Sequence, residues 1–313
     1  MSDRSDVTYH DLIAANRRNS MLLVAGFVLF VGLLAAVLAA AFVGGDPTAG
    51  IGAGVLALVV AGLMALWSYY GGGNAILKMS GARLIEKKDD PQLYNVVDEM
   101  AIAAGVRSPP VYLIDDTALN AFATGRDPDH AALAITKGLR EKLTRGELQA
   151  VIAHEMSHIR HLDIRLAMLL ATLVGMVVLL ADFFRRSMFW TGGGRRNSGR
   201  DGGGPVALVI LVVAIFLSIL APLIARIIQL AASRQREYLA DAGAVELTRD
   251  PESMISALEK LGGDREVLEV ANRATAHLFI VQPIKKFEAR AQGMFSTHPP
   301  LKDRIERLRA LLR

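Results

Sequence analysis

Four long apolar runs, residues 20–43, 51–70, 166–184 and 206–225, restrict what this chain can fold into more than anything else in it. Each is long enough to cross a hydrocarbon core of about 30 Å as a helix, and the first two contain no charged residue. They account for a hydrophobic fraction of 52% and a mean hydropathy of +0.34, too apolar for an ordinary soluble enzyme with 21% charged residues. A removable signal peptide does not explain the first run. It is too long, it is followed by Gly44-Gly45-Asp46-Pro47 instead of a small-residue cleavage pattern, and a second run follows at once. The sequence therefore reads as a mainly α, polytopic membrane protein with four transmembrane helices.

The charges give the orientation. Arg4, Arg17 and Arg18 precede the first run and Lys78, Arg83, Lys87 and Lys88 follow the second, whereas the linker between them carries only Asp46. Positive charge gathers on the cytoplasmic side, so residues 1–19 form a cytoplasmic tail, 20–70 a transmembrane hairpin and 71–165 a cytoplasmic insert. The third and fourth runs make a second hairpin over 166–225, and residues 226–313 return to the cytoplasm. Their connection, 185–204, is rich in Gly and sets Arg185, Arg186, Arg195, Arg196 and Arg200 against Asp201, so it is expected to be flexible. This basic loop would lie outside the cell, against the usual bias; a hairpin forced by cytoplasmic segments on both sides is preferred here to runs that enter the membrane incompletely. Asp182, at the end of the third run, reads as interfacial. The net charge of +4 has the same origin as the orientation, and with no nucleic-acid motif present the partner it indicates is a bilayer and not a nucleic acid.

The insert is α+β. A helix is predicted at 90–104 and short strands at 111–114, 120–124 and 131–136. Beyond them stands His154-Glu155-Met156-Ser157-His158 on a helix announced by the capping box Thr144 to Glu147 and by the apolar stripe Leu148, Val151 and Ile152. Four residues add about 400° of rotation, so both imidazoles face one way about a turn apart, and Glu155 lies beside them. Two His at this spacing can grip one zinc ion while the Glu reaches its water. The chain has no cysteine, so any metal must be held by His and carboxylates.

A catalytic zinc usually takes a third protein ligand. His161 would point poorly from the same helix, and the extended motif would need Gly and His where this chain has His161 and Ile164. Glu237 and Asp241 are spaced i, i+4 on a helix that continues the fourth run to about residue 247, an arrangement suited to one direct ligand and one carboxylate that holds a ligating imidazole; a solvated acidic face is the competing reading. Counted at 1.5 Å per helical residue, His158 and Glu237 both lie roughly 12 to 18 Å from the same membrane surface, so the two helices can meet.

His154-Glu155-Met156-Ser157-His158, then Glu237-Tyr238-Leu239-Ala240-Asp241-Ala242-Gly243-Ala244, then Ser296-Thr297-His298-Pro299-Pro300 with Arg304, together resemble the hallmarks of the HtpX family of membrane zinc metalloproteases, relatives of the CAAX prenyl proteases. The likeness covers the order of all four apolar runs and almost the whole chain. It implies a gluzincin-type catalytic domain facing the cytoplasm from the cell membrane, with His154, His158 and Glu237 on one zinc ion, Glu155 as base and Asp241 behind the ligands. It also implies that His298 and Arg304 are donors to the developing oxyanion and that Asn120-Ala121-Phe122 is the edge strand that binds extended substrate. The activity implied is quality-control cleavage of damaged or misfolded membrane proteins, linked to heat stress. A CAAX-type prenyl protease is the nearer alternative, although those proteins are longer and have more spans. A non-catalytic scaffold stapled by zinc is the rival of another class. Glu155 separates that rival from an enzyme, because a structural site has no use for a carboxylate beside an open position.

Overall fold

The computed structural model describes residues 9–42, 46–191, 205–264 and 299–312. Residues 1–8 of the tail, residues 192–204 of the Gly-rich loop and His298 lie outside the described residues. The helices are α1 (Tyr9–Phe42), α2 (Pro47–Met79), α3 (Pro91–Ala104), α4 (Lys137–Lys142), α5 (Arg145–Arg160), α6 (Asp163–Thr191), α7 (Pro205–Thr248), α8 (Pro251–Gly263) and α9 (Leu301–Ala310). The strands are β1 (Arg83–Leu84), β2 (Val111–Ile114), β3 (Ala121–Gly125) and β4 (Ala131–Thr136). The chain divides into two compact units, one drawn from Met1–Ser68 and Leu169–Gln229, the other from Tyr69–Met168 and Leu230–Arg313.

In the first unit, the apolar runs are helical. Candidate spans are Met21–Phe42, Pro47–Met79, Asp163–Met188 and Pro205–Thr248, each long and apolar enough to cross a membrane. Side chains such as Leu29, Leu56 and Phe216 are turned outward and exposed, as lipid-facing residues are. α1 and α2 approach closely through small residues: a Cβ at Gly54 would stand 3.0 Å from that of Ala36. The connection after the third run is not unstructured from residue 185. α6 continues to Thr191, since nothing from Arg185 to Trp190 breaks a helix before Gly192, and Arg185 turns back to pair with Asp182 and to donate to the Ser218 carbonyl at 2.9 Å.

The second unit is built on a four-stranded sheet in the order β1-β2-β4-β3. β2 and β4 are parallel, while β1 and β3 join antiparallel at the two edges. One face of the sheet, with Val111, Leu133 and Ile135, packs with α3, α5 and α8 into the main core; the other, with Phe122 and Ala134, packs on Leu77 of α2. The helix of the second run thus extends past residue 70 to Met79, into the stretch read as insert. Gly73 permits it, since a Cβ there would already touch the backbone of Gly125 at 3.4 Å. α5 is the central helix, entered through the expected capping box between Thr144 and Glu147 and buried along most of its length. The strand expected at 120–124 begins one residue later, because the Asn120 amide donates to the Thr136 hydroxyl and its carbonyl accepts from Thr136, and it ends at Gly125, whose φ of 131° suits only glycine.

Candidate metal centre

α5 and α7 bring His154, His158 and Glu237 to one point. One ligand atom from each lies within 4.8 Å of the others. The two Nε2 atoms are 3.2 Å apart, His154 Nε2 is 3.7 Å from Glu237 Oε2, and His158 Nε2 is 3.6 Å from Glu237 Oε1. In a tetrahedral zinc site with bonds of about 2.05 Å, neighbouring ligand atoms stand about 3.3 Å apart, so the three side chains fit that ion. The other ring nitrogens face carboxylates. His154 Nδ1 faces Asp241 Oδ1 at 3.0 Å and His158 Nδ1 faces Asp163 Oδ2 at 3.1 Å, which leaves both Nε2 lone pairs for a metal.

The charge balance agrees. Glu155, Asp163, Glu237 and Asp241 are all buried, and among the described residues the guanidinium groups paired with them are those of Arg304 and Arg236. Four carboxylates against two guanidiniums leave the deficit that a divalent cation would fill. Burial disfavours a charged His158, yet the carboxylates of Asp163 and Glu237 outweigh it and lift its pKa well above the ordinary imidazole value. The site already attracts positive charge.

Glu155 accepts from the Ala123 amide at 2.8 Å and is held beside the imidazoles. Burial raises its pKa; His154 and His158 oppose that rise without cancelling it, and Glu237 adds to it, so the carboxylate is a stronger base than in water. Ala123 belongs to β3, the edge strand. Thr136 donates to the Asn120 carbonyl, so by alternation Phe122 and Thr124 pair with β4, while Ala121 and Ala123 turn their backbone groups to the edge with which no strand among the described residues pairs. Asn120, Ala121 and Phe122 are themselves buried.

Arg304 faces two carboxylates of the site. It is fully buried, grips Asp241 through two hydrogen bonds of 2.6 and 2.8 Å, and lies 3.4 Å from Glu237 Oε2. Burial works against its charge, but Asp241 and Glu237 hold its pKa above the ordinary guanidinium value. It therefore backs the carboxylates. Asp163 and Arg236 escaped the sequence reading. Nothing in the spacing of Asp163 from His158 announces a contact, because the contact depends on a break in the helix between them.

An imidazole pair and a carboxylate at tetrahedral spacing, with a buried Glu beside them, fit the centre of a metallopeptidase. Residues 87–312 match the model of Peptidase family M48, and the chain belongs to that family. It is 43% identical over 302 residues to a protease HtpX homolog of Streptococcus thermophilus, covering 96% of this chain and 99% of that one. With the Listeria monocytogenes homolog the identity is 42% over 301 residues, 95% and 97% of the two chains, and with that of Dictyoglomus thermophilum 39% over 308 residues, 97% and 95%. Among solved structures, S. mikatae Ste24p shares the fold, with a TM-score of 0.52 and 19% identity over 95% of this chain and 66% of that one.

Proposed function

We propose that this metalloprotease is a zinc-dependent endopeptidase, with one zinc ion per chain held by His154, His158 and Glu237, that degrades damaged or misfolded membrane proteins from the cytoplasmic face of the cell membrane. The observation that carries the proposal is the placement of Glu155 beside three ligand atoms at tetrahedral spacing. Bound there, zinc would supply a Lewis acid that acidifies water and polarises a peptide carbonyl. Glu155, kept basic by burial, takes the proton from the attacking water and passes it to the leaving amine. The Ala123 amide holds that carboxylate in line and the Ala121 amide donates to Asn120 Oδ1, so among the described residues the carbonyls of Ala121 and Ala123 remain on that edge to pair with an extended substrate. Main-chain pairing tolerates many side chains, which suits a protease of unfolded segments. Asp241 orients His154, and Arg304 keeps Asp241 and Glu237 ionised. His298 is assigned to the oxyanion by resemblance.

The name shared by the full-length relatives supports quality control over prenyl-protein processing. The test compares purified parent, Glu155→Gln and His158→Ala on an unfolded membrane-protein substrate. Glu155→Gln should lose hydrolysis and keep its zinc; His158→Ala should lose both. Near-parental turnover in Glu155→Gln would sink the mechanism.

A further inference from the structure

Asp163 and Arg236 are outside the ligand set, yet Asp163 reaches His158 and Arg236 pairs with Asp163. Asp163 opens α6, five residues beyond His158. On an unbroken helix such a residue would be turned about 140° away from His158 and could not reach it. The chain is broken instead: Leu162 adopts φ 62°, a left-handed conformation. L residues other than Gly and Asn rarely take it because Cβ crowds the neighbouring carbonyl. The break sets Asp163 Oδ2 3.1 Å from His158 Nδ1, and Asp163 Oδ1 pairs with Arg236 Nη1. Arg236 immediately precedes Glu237 on α7. The arrangement repeats that at the other imidazole, where Asp241 faces His154 Nδ1 and is gripped by Arg304.

We propose that Asp163, held by Arg236, is a positioning residue for His158, fixing the imidazole tautomer and direction that present Nε2 to the metal and tying that choice to the helix that carries Glu237. The proposal rests on the reading of His154, His158 and Glu237 as zinc ligands. A carboxylate on Nδ1 keeps the proton there and leaves Nε2 with its lone pair, and Arg236 compensates the charge of that buried carboxylate. The left-handed Leu162 is the local concession that makes the contact possible.

The experiment uses the full chain in detergent micelles, with Glu155→Gln throughout so that neither activity nor self-cleavage enters the readout. Zinc affinity is measured by chelator competition, the visible spectrum of the cobalt(II)-substituted protein is recorded, and the metal-free form is melted. Asp163→Ala should weaken zinc binding about 10- to 100-fold. Asp163→Asn, which keeps an acceptor oxygen but not the charge, should lose less and shift the cobalt bands with little change in metal-free melting. Arg236→Gln should weaken binding too, and the double variant with Asp163→Ala should lose no more than Asp163→Ala alone. Parental zinc affinity in Asp163→Ala overturns the proposal, as does an additive loss in the double variant. Should Asp163→Ala fail to fold, Asp163→Asn decides, and an unchanged affinity and spectrum there overturns it. Failure of the ligand reading looks different, because the parent and His158→Ala would then bind zinc equally weakly.

Discussion

Gly243→Ala should loosen the metal centre without touching any of its ligands. Gly243 lies where α7 crosses α5, two residues beyond Asp241, and a Cβ there would stand 2.3 Å from Ser157 Oγ and 3.0 Å from Ser157 Cβ. The hydroxyl can rotate away if it gives up its 3.2 Å contact with His161 Nδ1. The Ser157 Cβ cannot, so the two helices must part by about 0.4 Å to reach ordinary contact. Overpacking of this kind costs about 1–3 kcal/mol, against which the better helix propensity of Ala returns up to about 1. The displacement falls on the ligand set, because Glu237 rides on α7 while His154 and His158 flank Ser157 on α5. Metal sites hold their distances to within about 0.2 Å, so a shift of twice that should weaken zinc about tenfold or more, equivalent to about 1.4 kcal/mol. Chelator competition and thermal melting of the detergent-solubilised protein read both effects. Adding Ser157→Gly removes both clashing atoms and should restore most of the affinity. If Gly243→Ala binds zinc like the parent, or if Ser157→Gly brings no recovery, the account of the crossing is wrong.

Gly138→Ala should be far more damaging, since its Cβ would lie 1.9 Å from the backbone carbonyl oxygen of Thr117; a loss above about 3 kcal/mol is expected, seen as a melting transition lowered or abolished. Glu147 tests the acid limb of stability. Burial raises its pKa, but hydrogen bonds from Lys260, Ser256 and Thr144 overcome this and bring it down to about 2. A carboxylate held below its unfolded value stabilises the fold fully above about pH 4.5 and progressively less as pH falls toward 2, by at most about 3 kcal/mol and by less because the Lys260 amine is partly in water. The melting gap between the parent and Glu147→Gln should therefore be wide at pH 7 and narrow markedly by pH 3; a constant gap would refute the linkage. The chain has no cysteine, so Ser108→Cys, on the exposed surface of the second unit, can report orientation. An impermeant thiol reagent outside intact cells should spare it and label it after lysis, and labelling from outside would overturn the cytoplasmic site.

What could be read in advance followed from periodicity and spacing. The apolar runs announced their helices, Thr144 and Glu147 announced the start of α5, and the i, i+4 pairs put His154 with His158 and Glu237 with Asp241 on single faces, so a meeting point of two helices could be reasoned out. What could not be read depended on tertiary contact. The capacity of Gly73 to lie against Gly125 lets α2 run on past the apolar stretch. The left-handed Leu162, with no glycine to mark it, is what brings Asp163 back to His158. Arg304 carries a charge that any surface helix of its kind would carry, and only the structure places it behind Asp241 with no exposure at all.

The position of Arg304 in the chain gives the site a timetable. Asp241 and Arg304 are separated by 63 residues of sequence. At a synthesis rate of about 5–20 residues per second, α5 and the end of α7 exist for about 3–13 seconds before the guanidinium that compensates their carboxylates is made. Through that interval Asp241 and Glu237 cannot be buried against one another without a large electrostatic penalty, and the imidazole that Asp241 should steer is left unsteered. The centre of this metalloprotease is thus kept from closing until α9 has been made.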